Sequence, residues 1–298
     1  MMRAAAGALV LLFGCCAAAQ TGEAPRFDSN RAWEHLRRQV AFGPRPSGSA
    51  ASVETRRYII DQLRALGLET REQAFVADTP IGPVRMANVI ATIPGARPER
   101  IAFASHYDTK LFRRFRFVGA SDGASSTAVV LELARVLTQR KNSFSIELLL
   151  LDGEEAVNEE WRDPDNRYGS RYYVDQAQKD GTLAGLKALV LLDLVGDRHL
   201  NFRREANSTR WLTDVIWAAA KRRGYSDYFW PQETGIEDDH IPFLRAGVPA
   251  VDIIDLDYTA WHTADDTLDA VSARSLQIVG DVILEALPQI ERRLASGK

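Results

Sequence analysis

Cysteine is almost missing from this 298-residue chain, which has only Cys15 and Cys16, side by side near its start. The rest of the chain therefore cannot build a disulfide framework, a cysteine nucleophile or a thiolate-held structural zinc, and any metal must be held by His, Asp and Glu. Histidine is scarce as well, at five, so each one that falls in a motif is informative. An excess of one charge sign is also lacking. The net charge is −3 with 26% charged residues, which leaves no basic footprint for nucleic acid and no acidic solvating tail. There is no internal repeat, low-complexity tract or interdomain linker. The one apolar stretch that raises the question of a membrane is N-terminal, and it is too short to span one as a helix. With Arg3, the apolar run through Phe13 and the small residues 15–19, segment 1–20 reads as an export signal. Leu12-Phe13-Gly14-Cys15 also resembles a lipoprotein processing site, which would leave Cys15 acylated. The expected destination is export, periplasmic or secreted, with anchoring at the membrane as the alternative.

What the chain does contain, 46% hydrophobic residues over this length, suffices for one large α/β domain, expected over 21–298. Amphipathic periodicity predicts helices over about 32–40 and 53–66, the second closed by Gly67, then strands over 86–93 and 101–106 separated by a turn at 94–98. A helix over 125–137 presents Val129, Val130, Leu133, Val136 and Leu137 on one face. The run 146–151, apolar except for Glu147, suits a parallel strand buried on both faces. Further strands are expected at 188–192 and 250–254, and helices at about 208–222, 239–246 and 272–294. Strands alternating with helices imply a three-layer α/β sandwich, its mostly parallel central sheet flanked by helices.

Asp108, Asp122, the run Asp152 to Glu155, and Asp193 each close or follow a strand-like run, where an α/β sheet presents side chains to a crevice. Any one of them alone is commonly a helix cap or turn former. Joined by His106 and by His262 of Trp261-His262-Thr263 at the same edge, they read as one metal site. Carboxylate and imidazole ligation without thiolate is what an open catalytic zinc site uses, three protein ligands leaving a position free. Of the adjacent Glu154 and Glu155, one carboxylate could bind the ion while its neighbour remains a general base. The preceding run Leu148 to Leu151 argues that the pair is buried rather than a solvated helix start. His35, on a surface helix, and His199, in a polar loop, read as solvated. His240, behind two aspartates at a helix start, reads as a structural partner rather than a ligand. Arg113-Arg114-Phe115-Arg116 reads as a loop at the site rim.

Seven segments together carry a family resemblance. They are residues 105–110 (SHYDTK), 117–122 (FVGASD), 152–156 (DGEEA), Trp161 with 168–171 (YGSR), 192–194 (LDL), 237–243 (EDDHIPF) and 261–263 (WHT). In this order the chain resembles the animal-type glutaminyl-peptide cyclotransferases, within the zinc aminopeptidase superfamily, over roughly residues 30–295. The resemblance implies a zinc-aminopeptidase-like fold and one zinc ion on Asp122, Glu155 and His262. It implies Glu154 as proton shuttle, with Asp193 and Asp238 completing a catalytic carboxylate network. Trp161 and Trp261 would wall the substrate pocket together with Ile236 and Glu237, and His106, Asp108 and Asp266 would stand behind the ligands. The implied substrates are peptides or proteins with N-terminal glutamine, converted to pyroglutamate with loss of ammonia; a monomer is expected. The chain departs from that pattern in lacking a cysteine pair near the site, and in a spacer one residue longer between Glu155 and Trp161. It also carries Glu237 where glutamine is frequent, and Asp257-Tyr258 where an aromatic pocket residue stands.

Two other readings compete. His106, Asp122, Glu155, Asp193 and His262 could hold two zinc ions with Asp122 bridging, as in an aminopeptidase. Against this, Gly123-Ala124 follows Asp122 where those peptidases place a polar residue. A metal-free binding module on the same fold would leave Glu154-Glu155 without a purpose.

Overall fold

Strand runs with no polar face become the inner strands of a single sheet. The computed structural model describes residues 25–297, so segment 1–20 and Cys15 lie outside the described residues. In chain order the elements are α1 (Ser29–Phe42), α2 (Ala50–Ala65), β1 (Thr70–Thr79), β2 (Gly82–Ile93), β3 (Arg97–His106), α3 (Ala124–Thr138), β4 (Phe144–Leu151) and α4 (Tyr168–Lys179). They continue with β5 (Leu186–Asp193), β6 (Phe202–Glu205), α5 (Arg210–Arg222), β7 (Phe229–Thr234), α6 (His240–Arg245), β8 (Ala250–Ile254) and α7 (Ala273–Ala295). Six strands form the main sheet in the order β1-β2-β4-β3-β5-β8, and β6 and β7 pair separately. The four strands β4, β3, β5 and β8 are parallel, whereas β1 and β2 are antiparallel additions at one side.

Side-chain alternation along the inner strands splits the core in two. Ile101, Phe103, Leu148, Leu150, Val190, Leu192, Val251 and Ile253 face one layer with α1, α2, α3, α5 and α7. Ala102, Ala104, Leu149, Leu151, Leu189, Leu191 and Ala250 face the opposite layer, where α4 and α6 supply Tyr173, Val174, Ala177 and Phe243. Burial on both faces explains the consecutive apolar residues Leu148 to Leu151 of β4 and Ala188 to Leu192 of β5. The α4 end packs so tightly on the sheet that a Cβ on Gly169 would lie 2.4 Å from Asn88 Oδ1 and 2.5 Å from the Asp152 carbonyl oxygen.

The parallel register puts His106 beside Leu151 and Asp193 beside Ile254. The carboxyl ends of β3, β4, β5 and β8 therefore finish together, and the segments that leave them converge on one rim. Four elements were not anticipated. The edge strand β1 buries Gln73, Ala77 and Thr79 rather than large apolar residues, so its periodicity is faint. The helix α4 starts within the Tyr168-Gly169-Ser170 motif, where glycine and serine weaken helix propensity, and β6 and β7 are short. β2 and β3, consecutive in sequence, are not partners; β4 lies between them. His35 is half-buried rather than solvated, with Nδ1 2.7 Å from the Tyr58 hydroxyl, and burial lowers it to about 4. Among the described residues no helix is long and apolar enough to cross a membrane.

Candidate active site

Each strand end delivers its polar residues through a bracing contact of its own. Past β3, the buried Arg45 guanidinium donates to the carbonyls of Tyr107, Val118 and Gly119, fixing the loop that runs to Asp122. Asp122 sits one residue before Gly123, at φ +81°, where a Cβ would come within 2.7 Å of the Asp108 carbonyl and 3.0 Å of the His106 ring. Only glycine lets these segments approach so closely. Past β4, the backbone N–H groups of Glu154 and Glu155 donate to Asp108, at 3.3 and 3.4 Å. Asp152 accepts from Ser47 (2.7 Å) and from the Ala87 N–H (2.9 Å).

His262 enters from the loop after β8 in a left-handed backbone conformation, φ +53°. Its Nε2 lies 3.2 Å from Glu155 Oε1 and 3.4 Å from Asp122 Oδ2. The ring is held edge-on by Phe112 and Phe117, at centroid distances of 5.5 and 5.9 Å, and covered by Trp261, stacked at 4.4 Å. Behind Asp122, Asp266 accepts the backbone N–H of Ser121 (2.8 Å) and of Asp122 (3.2 Å), and the Tyr258 hydroxyl at 2.6 Å. Tyr258 is thus a buried brace, not a pocket wall.

Asp122, Glu155 and His262 present ligand atoms within 4.8 Å of one another, as do His106, Asp122 and Asp193, so that Asp122 is shared by two triads. A tetrahedral site with ligand bonds of about 2.0–2.1 Å has ligand–ligand edges of about 3.3 Å, matching the 3.2 and 3.4 Å separations around His262 Nε2. Glu155 Oε2 is buried without a hydrogen-bond partner. The donor set of imidazole and carboxylates, free of thiolate, fits a divalent ion of zinc type. In the second triad His106 Nε2 is 3.1 Å from Asp193 Oδ1 and 3.3 Å from Asp122 Oδ1.

Burial alone would lower His262, but Glu155 and Asp122 outweigh it and hold its ring at about 10. His106 is raised the same way, against its burial, chiefly by Asp193. Burial pushes Asp122 up, yet hydrogen bonds from His106 and His262 bring it below the usual carboxylate range. Glu154 is driven well above that range by burial, with Glu155, Asp238 and Asp239 adding to the effect and His106 opposing it. Burial lifts Asp193 to about 7.

A cavity of about 390 Å³ opens at this rim, lined by Asp122, Glu154, Glu155, Asp193, Asp238 and His262 together with Trp161, Trp261, Ile236 and Glu237. His106, Asp108 and Asp266 stand behind that wall. The Trp161 indole N–H is buried without a partner. His240 is fully buried, its Nε2 3.0 Å from Glu205, while His199 is exposed. Arg113, Arg114 and Arg116 are exposed, and of these Arg114 pairs with the lining residue Glu159.

Sequence reasoning gave no role to Lys110 or Arg45, and it noted Tyr258 only as a departure at a pocket position. Lys110 lines the cavity and donates to the carbonyls of Ala156 (2.9 Å) and Asn158 (3.1 Å), with Nζ 3.7 Å from Glu155 Oε2. Its position two residues past Asp108 was the available signal. Arg45 acts through carbonyls 62 to 74 residues away and left no local signal.

Residues 88–287 match the model of Peptidase family M28. A glutaminyl-peptide cyclotransferase of Drosophila melanogaster is 33% identical over 266 residues, covering 80% of this chain and 75% of that protein. A glutaminyl-peptide cyclotransferase-like protein of Mus musculus is 33% identical over 273 residues, with 81% and 70% covered. Among solved structures, an Acidobacteriales bacterium glutaminyl cyclase aligns with TM-score 0.86 and 39% identity, over 93% of this chain and 99% of that one. A leucine aminopeptidase precursor from Bacteroides thetaiotaomicron aligns with TM-score 0.81 and 27% identity, over 89% and 98%.

Proposed function

The chain belongs to Peptidase family M28 and to the glutaminyl-peptide cyclotransferases within it, and on that premise we propose how its residues divide the work on peptides that begin with glutamine. The reaction closes the N-terminal glutamine to pyroglutamate and releases ammonia. The ion is a single zinc held by Asp122, Glu155 and His262, the triad that faces the cavity. When bound, zinc polarises the γ-carbonyl and favours the negative charge that develops on its oxygen. Glu154 receives the proton from the attacking α-amine and passes it to the departing nitrogen. Its buried, raised carboxyl favours holding that proton between the two events. Asp193 and Asp238 border the same volume and complete the proton-handling wall. Trp161 and Trp261, with Ile236, shape a pocket for one folded-back glutamine side chain and exclude the water that hydrolysis needs. Glu237 at the rim meets the residue that follows the glutamine.

The observation that carries this reading is the adjacency of Glu154 to a zinc-spaced triad inside a cavity with two tryptophans. Segment 21–298 forms one catalytic domain, exported by the signal at 1–20, and acts as a monomer; the two cores on one sheet support the first of these statements. The second triad, with His106, favours a competing two-zinc aminopeptidase. Mass spectrometry of a glutamine-initiated peptide, with the zinc-loaded protein, separates the two. Loss of one ammonia with every peptide bond intact is expected; free glutamine and a shortened peptide would reject the cyclase. Elemental analysis of dialysed protein should give one zinc per chain.

A further inference from the structure

Strand β8 is buried along its whole length, and in its middle stands an acid, Asp252. Neither of its carboxyl oxygens meets a donor, although the side chain is wholly removed from water. Its surroundings are acidic from every side. Asp193 faces it from the end of β5, Asp238 from the loop before α6, and Glu205 from the end of β6. Among the described residues the basic group paired with it is His240 of α6, whose Nδ1 lies 3.7 Å from Asp252 Oδ2. That ring already serves Glu205 through Nε2 at 3.0 Å. Glu205 also accepts the N–H groups of Asn207, Ser208 and Ile236, which marks it as the ionised member of the group. Burial acts to raise Glu205, yet the His240 hydrogen bond and these backbone donors bring it down to about 2.

Asp252, Asp238 and His240 place ligand atoms within 4.8 Å of one another, and Asp238 Oδ2 is likewise buried without a partner. Two buried carboxylates side by side, with Nε2 of the nearest imidazole engaged by Glu205 and its Nδ1 beyond hydrogen-bond reach at 3.7 Å, are strongly unfavourable unless one is neutral. We propose that Asp252 is a positioning residue that works as a neutral acid: its O–H donates to a carboxylate oxygen of Asp238, the pair shares one proton and one negative charge, and Asp238 is thereby fixed at the pocket wall. Burial, reinforced by the charges of Asp238, Asp193 and Glu205, pushes Asp252 well above the usual carboxylate range and supports this arrangement. The Asp252 N–H, hydrogen-bonded to Ser208 Oγ at 3.0 Å, ties its backbone to the Glu205 loop. The inference rests on Asp238 belonging to the proton-handling wall.

Two substitutions and one spectrum test it. Asp252→Leu keeps the branching of the side chain and removes the donor, and kcat should fall on the order of tenfold to a hundredfold, as loss of an orienting partner typically does. Asp252→Asn retains an N–H donor in the same shape and should recover most of that loss. Infrared spectroscopy of the wild-type protein near neutral pH should show a protonated carboxyl band, sensitive to deuterium, that is missing in Asp252→Asn. An asparagine variant as impaired as the leucine variant would overturn the proposal, and so would an unchanged band. A second tightly bound metal ion, lost in Asp252→Asn, would assign the cluster to a cation and overturn it too. The infrared result needs no glutamine substrate, so it stands whichever product the wild-type enzyme releases.

Discussion

Glu154 and Glu155 are adjacent in sequence and share Asp108 as backbone acceptor, yet only Glu155 lies within the His262 triad. Different substitutions should therefore fail in different ways. Glu154→Gln keeps shape and fold but cannot accept a proton, and kcat should drop about a hundredfold to ten-thousandfold with zinc content unchanged; near-normal kcat would place the proton transfer elsewhere. Glu155→Gln or His262→Ala should release the metal, as read by elemental analysis. Asp266→Asn, one contact removed from the ion, should weaken zinc binding less, on the order of tenfold to a hundredfold. Asp122, Glu154, Glu155 and Asp193 were legible because they lie at or just beyond strand ends, which converge in such sheets, whereas Trp161, Ile236 and Glu237 were reached only through the family resemblance. Lys110, Arg45 and Asp252 were not, because what gives them meaning is a neighbour tens of residues away: Lys110 meets the carbonyls of Ala156 and Asn158, Arg45 that of Val118.

At the scale of the elements, β4 governs the site indirectly. Leu148 and Leu150 fill one core while Leu149 and Leu151 fill the other, so the strand that launches Glu154 and Glu155 is clamped from both sides. Leu150→Ala should cost about 2–5 kcal/mol, the range for a large-to-small change at a fully buried site, as measured by urea denaturation. A cost below about 1 kcal/mol would mean that this core collapses around the gap. β4, β5 and β8 could be read from sequence because burial on both faces leaves runs that are mostly apolar, interrupted by Glu147 in β4, Lys187 in β5 and Asp252 in β8. The edge strand β1 could not, since half of it faces solvent and its inner positions are Gln73, Ala77 and Thr79. Nor could α4, whose first turn is the motif Tyr168-Gly169-Ser170, chosen for close packing on Asn88 and Asp152 rather than for helix propensity.

For the whole molecule, the density of buried acids sets the pH response of the metal-free form. Burial lifts Asp152 and Asp266 to about 6, Asp193 and Asp255 to about 7, and Asp239 to about 8. A carboxyl raised above its unfolded value of about 3.9 contributes stability that is complete below that pH and is lost as pH climbs through the folded value. Glu205, brought down to about 2, and His35, lowered by burial to about 4, act oppositely; the Glu205 contribution is lost only in strong acid, and His35 sets one group against the five acids as pH falls below its unfolded value of about 6.5. Metal-free protein should therefore resist urea better near pH 5.5 than near pH 8.5, by at least about 1.4 kcal/mol, the worth of a single one-unit shift. Saturating zinc should narrow that gap, since the ion replaces the protons of its ligands and binds only the folded state. Equal stability at both pH values without metal would count against a largely protonated acid cluster.

The stacking of Trp261 on His262 gives the protein an optical gauge of its own ligation state. The indole lies at 4.4 Å and 26° from the imidazole plane and is 43% exposed, and His262 in the metal-free form holds its proton up to about 10. An excited indole readily gives up electron density to a protonated imidazole lying flat against it, so the emission of this tryptophan is damped while the proton is present. A zinc ligand must be the neutral ring, and zinc has no partly filled shell to take over the quenching. Adding zinc to the metal-free protein at neutral pH should therefore brighten its tryptophan emission, and Trp261→Phe should abolish most of that rise although five other tryptophans remain.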